Sequence, residues 1–235
     1  MKTKILNRDY RHGHRLRLKQ KFINAPDALP DYELLELLLF SAIPRKDTKQ
    51  IAKILLKKFK SLEQILAATE EEILEIPGCG KAVLTQFKIV KEFIIRCNYQ
   101  NLVGRDILKS WDDAELYFKA LLSTEKVEKF YVTLLNNKRQ IILNKLLQTG
   151  SIDQVPVIPQ DVLSIALIHK ATGIIIAHNH PSGDPSPSEA DIIITEKIKH
   201  LVTAADIEFY DHIIIGRNKI HSMCNNITKP YKYIF

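Results

Sequence analysis

Over the first hundred residues, apolar side chains recur every three or four positions. Leu34, Leu35, Leu37, Leu38 and Leu39 follow Asp31 and stop short of Pro44, and Ile51, Ile54, Leu55 and Phe59 follow Asp47. That spacing puts the apolar groups on one face of a helix, and the flanking Asp and Pro are its start and stop signals. Ser61 is placed to cap a segment carrying Leu62, Ile65 and Leu66, and Thr69-Glu70-Glu71-Glu72 opens another short helix. The turn Ile76-Pro77-Gly78-Cys79-Gly80-Lys81 leads into Val83, Leu84, Phe87, Val90, Phe93 and Ile94, again at helical spacing. From residue 111 the pattern changes. A helix over 112–122 is followed by strands over 130–135 and 140–147, a helix over 162–169 and a strand over 173–177. A helix over 191–204 and one or two strands over 207–215 complete the series. Strands alternating with helices predict a mixed-sheet α/β layered domain, long enough to bury its own core. Residues 98–110 lack periodicity and contain Gly104. The chain therefore divides into an all-helical domain over 1–100, a linker over 101–110 and an α/β domain over 111–235.

Charge follows the same division. Residues 1–100 hold 19 Lys and Arg against 12 Asp and Glu, a net of +7, whereas residues 101–235 hold 15 of each. A basic excess confined to one part implies two modules with different partners. The opening 25 residues are the most basic and read as a basic arm. They carry Lys2, Lys4, Arg8, Arg11, Arg15, Arg17, Lys19 and Lys21 against Asp9, with His12 and His14 on the same solvated face. No apolar core of a secretory signal follows them, and no run approaches the ~20 apolar residues of a membrane span. Cys79, Cys97 and Cys224 are odd in number and scattered, with no C-x-x-C. This spacing gives no support to a thiolate zinc site or a thioredoxin motif, and it suits a reducing compartment. A cytoplasmic protein with no membrane partner is expected.

The chemistry concentrates in residues 178–191, His-Asn-His-Pro-Ser-Gly-Asp-Pro-Ser-Pro-Ser-Glu-Ala-Asp. These follow the β-branched run Gly173-Ile174-Ile175-Ile176-Ala177, so His178 and His180 leave the strand pointing the same way. Two imidazoles and the Asp191 carboxylate make a three-ligand set able to hold Zn²⁺ with a fourth position open. Ser188 and Asp191 also form a capping-box pattern ahead of Ile192-Ile193-Ile194. In that reading Asp191 satisfies helix-terminal amides and Gly183 makes a turn. The two readings are compatible, since a capped helix start can also present a ligand. His212, after Asp211, reads as a structural histidine ahead of an apolar strand.

The run HNHPSGDPSPSEAD resembles the metal signature of JAMM (MPN+) metalloproteases, H-x-H-P followed by S-x-x-D, and more narrowly the RadC family, historically labelled DNA repair proteins. The resemblance extends over about residues 27–224 and includes Gly150-Ser151 and Asp211-His212-Ile213-Ile214-Ile215-Gly216. It implies an MPN-type fold and a Zn²⁺ cofactor held by His178, His180 and Asp191. It also implies Glu128 as general base, from alignment of Glu128-Lys129-Phe130, and Ser188 as an oxyanion donor. The helix, Gly-x-Gly turn and helix around Gly78, Gly80 and Lys81 look like a helix-hairpin-helix motif. Glycines let a backbone approach a phosphate, the next helix offers free N–H groups, and Lys81 adds a charge. DNA contacted through residues 1–100, without sequence preference, is the partner this implies. The alternative is a helical hairpin whose glycines serve only close packing.

The chain departs from the family at one segment. Ile158-Pro159-Gln160-Asp161-Val162 stands where RadC proteins usually read His-Pro-Arg-Glu-Val, which bears on substrate handling more than on metal binding. The expected activity is zinc-assisted hydrolysis of an amide or isopeptide bond in an unidentified peptide substrate. The alternative is a DNA-associated protein using the MPN domain as a scaffold. A metal-dependent nuclease ranks third, because phosphodiester cleavage often recruits two metals.

Overall fold

The structure, a computed structural model, describes residues 2–150 and 157–231, with side chains from residue 13 onward. Lys2, Lys4, Arg8, Arg11 and His12 therefore lie outside the described side chains, and Ser151 outside the described residues. Contacts divide the chain into Met1–Glu92 and Phe93–Phe235, a boundary inside a helix rather than at residues 101–110.

The first unit is helical. Its elements are α1 (Lys2–Asn24), α2 (Asp31–Ala42), α3 (Lys49–Phe59), α4 (Leu62–Ala67), α5 (Glu70–Leu74) and the start of α6 (Lys81–Gln100). Leu35, Leu39, Ile51, Leu55, Phe59, Ile65, Ile73, Val83 and Phe87 form its core. Ser61 caps α4 by accepting from the Gln64 amide, and Thr69 with Glu72 closes a reciprocal box at α5. The opening segment is a helix rather than a free arm, for reasons visible in its second half. Leu18 is buried against Leu29 and Phe40. Arg15 donates to the carbonyls of Ile43, at the C-cap of α2, and Lys46, in the following loop, at 2.7 and 2.8 Å. His14, expected on a solvated face, instead lies 2.9 Å from the buried carboxylate of Glu36.

The second unit carries a mixed six-stranded sheet flanked by helices, as the sequence pattern predicts. Its elements are α7 (Trp111–Leu122), β1 (Lys129–Leu135), β2 (Ile141–Thr149), α8 (Pro159–Ile168), β3 (Gly173–Asn179) and α9 (Glu189–Thr203). Then follow β4 (Glu208–Ile215), β5 (Lys219–Ser222) and β6 (Ile227–Pro230). The strand order is β2-β1-β3-β4-β5-β6. β3 and β4 run parallel, joined through α9, and the other pairs are antiparallel. β3 is buried along its whole length, which accounts for its unbroken apolar sequence. Ile174 and Ile176 join Val162, Ala166, Ile194 and Ile198 in one core, while Ile175 and Ala177 join Phe118, Leu122 and Ile213 in another. The sheet therefore has α8 and α9 on one face and α7 on the other. Leu102 and Ile107, within the segment read as a linker, are buried in the α7 core. Arg139, in the turn between β1 and β2, pairs with Asp106 and fixes that segment to the hairpin.

Candidate metal centre

Period-two alternation along β3 sends Ile174, Ile176 and then His178 to the α9 face, where His178 is wholly buried. His180 lies just past the strand end, with its side chain 17% exposed. The loop from Pro181 to Pro187 returns to α9, whose third residue is Asp191. Two backbone bonds hold this loop to the end of β4, His180 N–H to Ile215 O and Arg217 N–H to Gly183 O, and a third, Gly183 N–H to His180 O, closes its own turn. Gly183 takes φ +92°, a conformation side chains resist.

The expected capping box is present. The Ser188 amide donates to Asp191 Oδ2 at 2.8 Å and the Asp191 amide to Ser188 Oγ at 3.1 Å. The same carboxylate faces both histidines: Asp191 Oδ1 is 3.1 Å from His178 Nε2 and Oδ2 is 3.2 Å from His180 Nε2. The two Nε2 atoms are 2.9 Å apart. One donor atom from each residue lies within 4.8 Å of the others, a cluster that could hold a metal ion. The capping residue is thus also a member of the candidate cluster.

The chemistry of these donors fits a cation. His180 Nδ1 lies 2.8 Å from the Asp184 carbonyl, which can only accept, so Nδ1 carries the proton and Nε2 offers a lone pair. An ionised Asp191 adds two acceptor oxygens. Electron-rich atoms crowded this closely repel unless a proton or a metal ion sits among them. The proton affinities agree. Burial would raise the Asp191 carboxyl, but positive charge at the neighbouring imidazoles, together with the Ser188 hydroxyl, holds it far below the carboxylate range, so the cluster favours a cation among its donors. Burial lowers His180, yet Asp191, the Asp184 carbonyl and the charge of Glu128 together raise it above its ordinary value. Imidazole, imidazole and carboxylate form a donor set that suits a divalent metal ion.

Glu128 immediately precedes β1 and is half-buried. β1 pairs with β3 antiparallel with Phe130 opposite His178, and the charge of Glu128, just ahead of β1, acts on the His180 imidazole. The Glu128 carbonyl accepts from the Gly150 amide at 2.8 Å. Ser188 is placed differently from an idle oxyanion donor: its single hydroxyl proton goes to Asp191 Oδ2 at 2.7 Å. The Ile158–Val162 segment forms the start of α8, with Pro159 in the first turn and Ile158 52% exposed. It lines a groove with Lys145–Gln148 of β2.

Gly78, Gly80 and Lys81 belong to the other unit. Gly78 has φ +93°, and a Cβ there would lie 2.8 Å from Ile51 Cδ1, so this glycine serves both the turn and close packing. Gly80 is open, with nothing within 4 Å of a Cβ position, and Lys81 is exposed at the first turn of α6. Cys79 is buried and its thiol is pushed up to about 11 by desolvation, which keeps it protonated.

Three residues around the metal centre carry no recognisable sequence signal as a set. Asn179 faces away from the histidines and accepts from the Lys129 amide at 2.9 Å. Its own amide donates to the Glu125 and Val127 carbonyls, each at 3.2 Å. It thereby holds the segment that carries Glu128. His212 Nε2 lies 2.8 Å from His178 Nδ1, and Thr195 Oγ1 lies 2.5 Å from His212 Nδ1. The one available hint was the Asp191-to-Thr195 spacing, which puts both on the same face of a helix.

Comparison with known proteins agrees with this geometry. A family model described as the RadC-like JAB domain matches residues 108–228. The UPF0758 protein SPO0054 of Ruegeria pomeroyi is 39% identical over 210 residues, spanning 89% of this chain and 94% of that protein. Among the described residues, no helix is long and apolar enough to cross a membrane. With its JAB-type sheet, its His-His-Asp cluster and a relative that matches along nearly its whole length, the chain belongs to the RadC-like JAB domain family.

Proposed function

We propose that the protein is a zinc-dependent hydrolase of JAMM type that cleaves an amide or isopeptide bond. The carrying observation is the convergence of His178, His180 and Asp191, supported by the electrostatic influence of Glu128 on His180. His178 and His180 through Nε2, and Asp191 through a carboxylate oxygen, would hold the Zn²⁺. The ion supplies Lewis acidity, polarising a carbonyl and lowering the pKa of water to about 7. Glu128 takes the proton of the attacking water and delivers it to the departing amine. Asn179 keeps Glu128 in reach by holding the carbonyls of Glu125 and Val127 ahead of β1. Ser188 steadies Asp191, and serving an oxyanion requires its proton to turn from that carboxylate to the substrate. The altered Ile158–Asp161 segment supports a substrate surface different from that of other RadC proteins. Scattered free cysteines support a cytoplasmic setting.

Glu128→Gln is the direct test. Zinc-loaded wild type and variant are compared on a panel of fluorogenic peptide amides and lysine-linked isopeptides. The variant keeps its zinc and loses about 10²–10⁴-fold in turnover. Turnover within a factor of about ten of wild type contradicts the role of Glu128, and a panel untouched by wild type counts against hydrolysis of this bond class.

A second activity, DNA association without sequence preference, is proposed for the helical unit. The exposed Gly80 and Lys81 at the start of the 20-residue helix α6 favour it, together with the basic excess of residues 1–100. Phosphate-driven binding to random duplex weakens steeply with salt, and Lys81→Ala lowers the logarithmic salt slope by about one. Affinity indifferent to salt rules it out. If DNA binds and no amide bond is cleaved, the scaffold reading takes precedence.

A further inference from the structure

We infer that Thr195 and His212 are positioning residues: they form a one-way hydrogen-bond relay that fixes the His178 tautomer, leaving Nε2 bare toward the metal. The inference rests on the metal reading above and adds two residues that ligate nothing. Its direction follows from a group that cannot donate. The Asp191 carbonyl lies 2.5 Å from Thr195 Oγ1, so the threonine hydroxyl must give its only proton there. Thr195 Oγ1 can then only accept at its 2.5 Å contact with His212 Nδ1. His212 therefore carries its proton on Nδ1 and presents a lone pair at Nε2. That lone pair faces His178 Nδ1 at 2.8 Å, which makes His178 Nδ1 the donor and leaves Nε2 unprotonated. The thioether of Met223, 3.4 Å from Thr195 Oγ1, is too weak an acceptor to redirect the hydroxyl.

The relay answers a specific problem. A metal-binding histidine usually gives its second N–H to a carboxylate or carbonyl, which fixes the tautomer because neither can donate. His178 faces another imidazole, which can donate or accept, so something beyond His212 must decide. Thr195 decides it, and the Asp191 backbone decides Thr195. Asp191 therefore offers its side chain to the metal and its carbonyl to the far end of the relay. Water has no route to scramble the order, since His178 and His212 are fully buried, Asp191 is 1% exposed and Thr195 4%. Phe130 holds both rings, stacked on His178 at 6.0 Å and edge-on to His212 at 5.6 Å between centroids.

The test has one arm without metal and one with it. In metal-free protein carrying ¹⁵N-histidine, long-range proton–nitrogen spectra should show His178 and His212 protonated at Nδ1 and bare at Nε2. Thr195→Val should mix the tautomers and Thr195→Ser restore them. Zn²⁺ affinity, read by competition with a fluorescent chelator, should weaken about 10–100-fold in Thr195→Val and His212→Gln and recover in Thr195→Ser. A proton on Nε2 of His178 in the wild type, or Thr195→Val with unchanged tautomers and affinity, overturns the relay. Predicted tautomers in a wild type that binds no zinc support the relay and refute the metal reading, which separates the two failures.

Discussion

Replacing Gly216 by Ala tests whether the loop between β3 and α9 is held to the sheet by contact rather than by chance proximity. Gly216 follows β4, and a Cβ there would lie 2.5 Å from the Gly183 carbonyl oxygen, 2.7 Å from Pro185 Cδ and 3.1 Å from Pro185 N. Two of these are backbone atoms and the third belongs to a proline ring, so no side-chain rotation relieves the clash. Relief requires the loop to retreat by about 1 Å to reach ordinary van der Waals separation. That movement strains the Arg217 bond to Gly183 O, at 3.0 Å, and the His180 bond to Ile215 O, at 2.9 Å. Overpacking of this kind costs about 1–3 kcal/mol, and each kcal/mol lowers Tm by about 2–4 °C in a protein of this size. The displaced loop also carries Asp184, whose carbonyl orients His180. Metal–ligand distances tolerate only about 0.2 Å of error, so zinc affinity should fall by at least about tenfold, the low end for a disturbed supporting shell. Thermal unfolding in chelator reads the first effect, and chelator competition at a temperature where the variant is folded reads the second. A loss below about 0.5 kcal/mol, the range of an uninvolved surface site, or a full loss of stability with unchanged zinc affinity, would refute the reasoning.

The same glycine-to-alanine change should act with opposite sign at Gly13, which sits inside α1, where an added Cβ meets only the flexible tip of Arg17, at 3.3 Å. Gly13→Ala should stabilise the helical unit by about 0.5–1 kcal/mol in urea unfolding of that unit; a loss would show that α1 does not persist there. Asp106→Asn probes the bond between the segment ahead of α7 and the β1–β2 turn. Hydrogen bonds from Arg139 hold the Asp106 carboxyl below its ordinary 3.8. A carboxyl depressed by folding stabilises above its unfolded value, and that contribution is lost as pH falls through the folded one. Wild type should therefore be the more stable at neutral pH, with the gap closing below pH 3.8. A gap independent of pH in parallel denaturation curves contradicts the pairing.

Most elements were legible because their periodicity is strong and their ends are marked. The run Gly173–Ala177 is too apolar for anything but a buried strand, and Ser188 with Asp191 announces the start of α9. What escaped depends on distant partners. α1 is mostly polar, and its few apolar residues make sense only once Leu29 and Phe40 are beside Leu18. Leu102 and Ile107 show no period because they fill the α7 core singly rather than as a face. β5 and β6 have four residues each, too few for alternation to declare itself. The candidate cluster of His178, His180 and Asp191 lies in one local run, whereas the proposed relay joins residues on β3, α9 and β4. Only the parallel β3–β4 register, which pairs Ile176 with His212, brings them together. His212 reads as structural from the sequence and lies outside the candidate cluster; its contact with His178 appears only in the fold.

The central claim is that His178, His180 and Asp191 hold zinc, and metal content of the purified protein tests it most directly. Elemental mass spectrometry after zinc loading and dialysis should find close to one zinc per chain in the wild type. Asp191→Ala, checked for folding by circular dichroism, should retain almost none. A wild type without bound metal after zinc is supplied, or an Asp191→Ala protein with as much as wild type, would contradict the account and leave the three residues as turn and cap.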